Sequence, residues 1–321
     1  MSVAEIEARE IQIEAPSGLW SEARYRLVRN PVAILGGFFV ATFVTVAIFA
    51  PLIAPENPEA ARPDRLHFGT PPGPSWSHLF GLDLQGRDEF SRIVYGARFS
   101  LLIGVVSVAI GLTIGLLLGA TAGYLGGYVD SVIMRCMDVM LAIPGLLFAI
   151  GIVAMLGAGL RQVMIAVGVV NIPIFARLLR GSILAQREND FVLAARSVGV
   201  RRRVILFSHI LPNAISPVIV QGTLAMATAI IDVAGLGFLG LGPQNPATPE
   251  WGTMLTDANA YLQVAPWLAI VPGLAIVVSA LGFNLIGDAL REALDPKLRG
   301  RVGFFRQPKL EPLSEDVGPN V

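Results

Sequence analysis

Six apolar runs dominate the chain, at residues 32–54, 99–123, 136–157, 162–180, 213–241 and 266–288. A helix needs roughly 20 mostly apolar residues to cross the hydrocarbon core of a bilayer, and each run can supply them. Inside hydrocarbon every backbone N–H and C=O must be satisfied internally, which segments of this length achieve only as α-helices. The runs therefore predict an all-α membrane protein with about six transmembrane helices. Pro144, Pro173, Pro217 and Pro272 interrupt them. In a soluble protein these prolines would argue against helix, but in a membrane neighbouring helices and side chains take up the freed backbone groups. Only 15% of the residues are charged, against about 25% in an average soluble domain.

Charge placement orients the spans. Lys and Arg number 24, balanced by 24 Asp and Glu, so no net charge points to nucleic acid or an acidic substrate. With six spans and the N-terminus inside, 18 of the positive residues fall in cytoplasmic pieces and 6 outside, as the positive-inside rule requires. Five of those six lie in one long outer segment, mixed with acids, where the rule has little weight. The expected organisation is a cytoplasmic tail at 1–31, a first helix at 32–54, an extracytoplasmic loop at 55–98, a core of five helices at 99–290 containing a basic loop at 181–212, and a cytoplasmic tail at 291–321. Residues 1–30 lack a cleavable signal, the first apolar run being too long for one. Within them, 18–30 read as an interfacial helix: Leu19, Trp20, Ala23 and Leu27 share a face, while Arg24, Arg26 and Arg29 reach toward headgroups. The tail after Arg306 reads as disordered.

Several chemistries lack their residues. Cys136 is the only cysteine and reads as a buried thiol; His67, His78 and His209 are too scattered for a zinc site. A phosphate-binding loop needs Gly-Lys-Ser/Thr, yet the only lysines, Lys297 and Lys309, follow prolines. ATP hydrolysis, if used, belongs to another subunit. No Ser/His or paired-Asp arrangement sits at common depth for an intramembrane enzyme. An ion-coupled carrier would place acids near the midplane, where the candidates are Asp138, Asp232 and Asp288. Asp138 with Arg135 and Asp288 with Arg291 have the spacing of interfacial helical pairs. Asp232, in the outer half of span five, can line a pathway or meet a structural partner.

The most informative stretch is the basic segment from Arg177 to Pro217, which carries seven arginines up to Arg203 and still keeps apolar residues at regular intervals. Phe191, Ala194, Ala195 and Val198 recur at helical spacing and predict a short helix that Gly199 ends; a second amphipathic run, Val204 to Leu211, ends at Pro212. Small alanines permit another protein's surface to approach closely. The alternative is a basic loop lying on anionic lipid.

Ala194-Ala195-Arg196-Ser197-Val198-Gly199, nine residues, then His209-Ile210-Leu211-Pro212 resembles the EAA loop of ABC-importer permeases. The resemblance implies the type I importer permease fold and a coupling role, docking to a cytoplasmic ATPase, for Ala194, Ala195, Arg196, Gly199, His209, Leu211 and Pro212. Leu193 stands where that family carries glutamate, and Arg196 or Arg201 to Arg203 are the substitute polar contacts. The outer segment His78-Leu79-Phe80-Gly81-Leu82-Asp83-Leu84-Gln85-Gly86-Arg87-Asp88, with Ser91-Arg92 and Tyr95-Gly96-Ala97-Arg98-Phe99-Ser100-Leu101, is similar to dipeptide, oligopeptide and nickel permeases. So are Leu236 to Gly242 and Trp251 to Leu255, while Asn30-Pro31 favours the C-type subunit. Asp83, Gly86, Arg87 and Asp88 are the candidate contacts to an extracytoplasmic binding protein, the alternative being a merely structural loop, and Asp232 is the candidate path residue. The implied assembly adds a homologous B-type permease and two ATPase subunits or domains, which would hold ATP and magnesium; this chain would hold no cofactor or metal. The implied setting is the bacterial inner membrane and the implied cargo a dipeptide or oligopeptide. The alternatives are nickel or another small solute on the same architecture, or an ion-coupled secondary transporter.

Overall fold

The computed structural model describes residues 19–66 and 71–294, with side chains from Ala23 onward. The elements named among them are all helical. The tail after Arg306 and His67 lie outside the described residues. The helices run α1 (Leu19–Arg29), α2 (Pro31–Ile53), α3 (Glu89–Leu125), α4 (Gly127–Leu141), α5 (Gly145–Leu156), α6 (Leu160–Arg187), α7 (Asp190–Ser197), α8 (Arg202–Val204), a π-helical turn (Ile205–Ile210), α9 (Leu211–Ala214), α10 (Ser216–Phe238), α11 (Trp251–Asn259) and α12 (Trp267–Leu294).

Five of these, α2, α3, α6, α10 and α12, are individually long and apolar enough to cross a membrane. The run at 136–157 is not one straight helix. It divides into α4, which starts at Gly127, and α5, and the two meet at an angle of 92°. Pro144 causes the break: it lacks an N–H, caps α5 from extended backbone, and disfavours helix at the residue before it. Counted as one bent span, the pair makes six crossings.

Two ends of the bundle follow from its contacts. Asn30 accepts the N–H of Val32 at 2.8 Å, an N-cap that starts α2, and its amide nitrogen donates to Glu292 at 3.0 Å. The start of α2 and the end of α12 therefore lie together. Arg187 donates to the carbonyl of Gly123 at 2.9 Å, which brings the C-terminal ends of α6 and α3 to one level beside α7. We call this the basic end. At the opposite cap end, Gly159 donates to Leu241 at 3.2 Å, joining the start of α6 to the loop after α10.

α3 begins ten residues before the sequence places its span, because Asp88 caps it by accepting the N–H of Ser91 at 2.8 Å. At 37 residues it is roughly 55 Å long, well beyond the roughly 30 Å of hydrocarbon. Its first turns belong to the cap.

Small residues set the packing of the core. Gly111, Gly115, Gly119 and Gly123 recur every fourth residue on α3, and a β-carbon on Gly111, Gly115 or Gly119 would fall 2.4–2.8 Å from α6. Without water to drive association, close backbone approach of this kind is what holds membrane helices together. The resulting α3–α6 interface is the most extensive in the molecule, and α5 and α10 close the core around Phe175, Leu179 and Ile183. α1 forms as expected and packs on α12 and α2, with the Arg29 guanidinium 4.0 Å from the centre of the Tyr25 ring. Cys136, expected to be buried, is exposed on α4. Both expected helical ion pairs fail: Asp138 pairs with Arg177 of α6 instead, and Asp288 and Arg291 form no ion pair among the described residues.

Candidate functional site

Chemistry-bearing residues gather at both ends of the bundle. At the basic end, the loop between α6 and α10 is built into the core. Val192, Ala195, Ile205, Leu206 and Ile210 are each less than 10% exposed and join the same apolar cluster as Phe175 and Ile183. The four residues expected to share a face divide: Ala195 turns inward beside Val192, while Phe191, Ala194 and Val198 stay outside with Leu193. The reason is the roughly 100° turn per helical residue, which sends adjacent alanines to different sides. Arg196 is also exposed.

Gly199 ends α7 as the spacing predicts. At φ +77°, it donates to Arg196 at 3.0 Å while Val200 donates to Ala195 at 3.1 Å, the paired bonds of a Schellman C-cap. A β-carbon there would touch nothing within 4 Å, so glycine is required by the backbone angle and not by crowding. Pro212 does not end the second run. It sits in the first turn of α9, and its missing N–H is accommodated by the π-helical turn, in which Leu211 donates one residue further back, to Leu206. His209 and Leu211 are half-buried there, and Pro212 is exposed. The outward side of the loop carries Phe191, Leu193, Val198, Val204 and Phe207, each at least 40% exposed.

At the cap end, residues 55–88 and 239–266 fold over the helix ends around a buried charged network. Arg87 Nε donates to Asp83 Oδ2 at 2.5 Å, Arg92 Nε lies 3.4 Å from the same oxygen, and the Asp83 Oδ1 accepts the N–H groups of Gln85 and Arg87. His78 Nδ1 lies 3.1 Å from Asp88. Gly86, at φ +71°, lets the turn press on Arg62, whose carbonyl oxygen would lie 1.9 Å from a β-carbon. Arg92 and Arg87 reach the carbonyls of Ala247 and Pro246 at 3.3 Å, tying the first loop to the last.

Asp83, Arg87 and Asp88 are 7%, 2% and 1% exposed, and Gly86 is buried. Their side chains are spent inside the cap and offer no surface to another protein. Among the apolar residues that the cap does expose are Trp76, fully open, and Leu79, 57% exposed, together with Leu262 and Val264 of the later loop; the first two follow the Pro71-Pro72-Gly73-Pro74 turn. Missed in the sequence was Glu250, which accepts the N–H groups of Gly252 and Thr253 at 2.9 Å each and caps α11. Burial against Gly237 pushes its carboxyl up to about 7, against the opposing pull of those backbone donors. Burial also raises Asp257, with Arg92 and Arg87 opposing.

Asp232 lies on α10, half-buried, with no hydrogen-bond or ion-pair partner among the described residues. Thr228, four residues earlier on the same face, is exposed and Gly235, three residues later, is half-buried, so this face of α10 is open in the single chain.

A helical bundle of up to six crossings, with a packed basic loop at one end and a braced cap at the other, is the architecture of a polytopic membrane protein, and its likeness to known proteins makes it a transport permease. Residues 111–300 match the family of binding-protein-dependent transport system inner membrane components, and the chain belongs to that family. Residues 18–72 match the N-terminal transmembrane domain of oligopeptide transport permease C, in agreement with the C-type resemblance. The dipeptide transport system permease protein DppC of Alkalihalophilus pseudofirmus is 48% identical over 281 residues, covering 87% of this chain and 90% of that protein. The glutathione transport system permease protein GsiD of Salmonella typhimurium is 49% identical over 290 residues, covering 90% and 93%. The fold is shared with a chain of the inward-facing MetNI methionine ABC transporter, at a TM-score of 0.52 and 19% identity, covering 64% of this chain and 96% of that one.

Proposed function

We propose that this permease works in an ATP-driven importer whose basic end is cytoplasmic, taking up dipeptides or short oligopeptides. The single observation that carries the coupling reading is the two-sided loop: its inner face belongs to the bundle's core, and its outer face presents Phe191, Leu193, Ala194 and Val198. Such a loop moves with the helices while offering an apolar, closely approachable surface to an ATPase. Leu193, 48% exposed, contributes apolar contact at the position where the family's loop carries a charge. ATP and magnesium then belong to two partner ATPase subunits or domains, and Lys297 and Lys309 give this chain no phosphate loop of its own. The open face of α10 with Asp232 supports a path shared with a homologous B-type permease. Trp76 and Leu79 support contact between the cap and an extracytoplasmic binding protein, and the DppC and GsiD relatives support a peptide cargo.

Proteoliposomes holding this chain, its partner permease, the ATPases and the binding protein test the reading. Peptide uptake should require ATP, and Gly199→Val should lower it by about tenfold, the scale set by ~1–2 kcal/mol of left-handed strain in a side-chain-bearing residue, while ATP hydrolysis continues. Uptake by this chain alone on an ion gradient, or wild-type uptake by Gly199→Val, would refute it.

A further inference from the structure

Behind the outward face of the basic loop lies a cavity of about 390 Å3, lined by Arg187, Arg196 and Arg202, by Tyr124, and by an apolar wall that includes Val200 and Ile205. The three guanidinium groups come from three elements, the end of α6, the last turn of α7 and the start of α8. No carboxylate lines the cavity, and none of the three arginines has an ion-pair partner among the described residues. Arg201 and Arg203 of the same loop are also without an ion pair among the described residues but line no part of this cavity, whereas two arginines earlier in α6 are paired. Arg180 pairs with Asp130 and Arg177 with Asp138, each across to α4. Among the described residues Arg187 holds only the Gly123 carbonyl, and three positive charges facing one concave space without a counter-charge repel one another, a repulsion that a bound anion would relieve.

We infer that this cavity is a binding site for a phosphate-bearing anion, the headgroup of an anionic phospholipid or a soluble phosphate. Arg is the side chain whose fork of donors matches phosphate oxygens in pairs, and basic pockets among helix ends at a membrane surface take anionic headgroups. At roughly 30 Å3 per water, the cavity displaces on the order of a dozen waters, enough for a phosphate with a glycerol attached. Its apolar wall suits the first carbons of a lipid. An anion bridging Arg187, Arg196 and Arg202 would fasten the coupling loop to the end of α6. Its lining includes none of Phe191, Leu193, Val198, Val204 and Phe207, the outward apolar residues of the loop.

The test uses the full-length chain purified with its partner permease, with and without the ATPase subunits. Native mass spectrometry counts retained phosphatidylglycerol against phosphatidylethanolamine, and equilibrium dialysis measures inorganic phosphate. The cavity variant is Arg196→Gln with Arg202→Gln; the control, Arg201→Gln with Arg203→Gln, removes the same charge outside the cavity. The expected result is saturable anion binding that falls at least about tenfold in the cavity variant, as the loss of charge-assisted hydrogen bonds implies, and holds in the control. Preference for phosphatidylglycerol with no phosphate binding identifies a lipid headgroup, and the reverse identifies a soluble phosphate. Equal loss in both variants, no anion binding by the unmutated chain, or binding that disappears once the ATPases are attached overturns the inference, the last because a protein carboxylate then fills the cavity.

Discussion

At the scale of residues, burial decides which charged positions are free to act. The His78-to-Asp88 segment is legible as a motif, yet nothing in its spacing says that Asp83, Arg87 and Asp88 point inward, because that depends on loop 239–266 arriving to cover them. Glu250 arrives with that loop and makes the cap sensitive to pH. Its folded-state value, about 7, lies above the ordinary 4.5. An acid raised in this way stabilises the fold fully below the lower value. That stabilisation is lost as pH rises through the upper one, because the unfolded chain ionises first. The difference bounds the effect at about 3 kcal/mol. Thermal unfolding in detergent should therefore show a cap less stable at pH 8 than at pH 5, and Glu250→Gln should flatten that slope. An unchanged slope in the variant would assign the pH dependence to another group.

At the scale of elements, the glycines of α3 separate packing from propensity. A β-carbon on Gly119 would lie 2.4 Å from the Ala176 carbonyl oxygen, whereas one on Gly181 of α6 meets nothing within 4 Å. Gly119→Leu should lower stability by about 1–3 kcal/mol or more, the range for overpacking, and Gly181→Ala should be neutral or raise it by up to about 1 kcal/mol through helix propensity. Denaturation of the purified variants distinguishes the two, and similar losses at both positions would argue against the α3–α6 ladder. Five helices were readable from apolar length alone, because hydrocarbon thickness sets their minimum. The 92° bend between α4 and α5 was not, although Pro144 is visible. A proline inside an apolar run permits a kink or a full break, and the packing of the surrounding helices selects between them. The start of α3 at Glu89 was likewise hidden, since its first turns lie above the apolar run in a region of mixed charge.

At the scale of the whole molecule, the proposed topology sets the basic and cap ends on opposite sides of the membrane. In a Cys136→Ser background, cysteines placed at the exposed positions Trp76 and Val198 should react with a membrane-impermeant maleimide from opposite sides in oriented vesicles, Trp76→Cys from the extracytoplasmic side. Labelling of both from one side would invalidate the six-crossing topology, and reversed labelling would invalidate the orientation. The asymmetry of positive charge is what the expected orientation rests on, whereas the division of the basic loop into an inner and an outer face depends on tertiary contacts of Val192 and Ala195 that periodicity does not specify. α3, like α6, reaches both ends. α3 enters the cap network through Asp88, Glu89 and Arg92, packs closely on α6 from Gly111 to Gly123, and in its last turn places Tyr124 in the wall of the arginine cavity. The charged network of the cap and the wall of the arginine cavity are thus two ends of one unbroken helix, and neither can be repositioned as a rigid piece without the other.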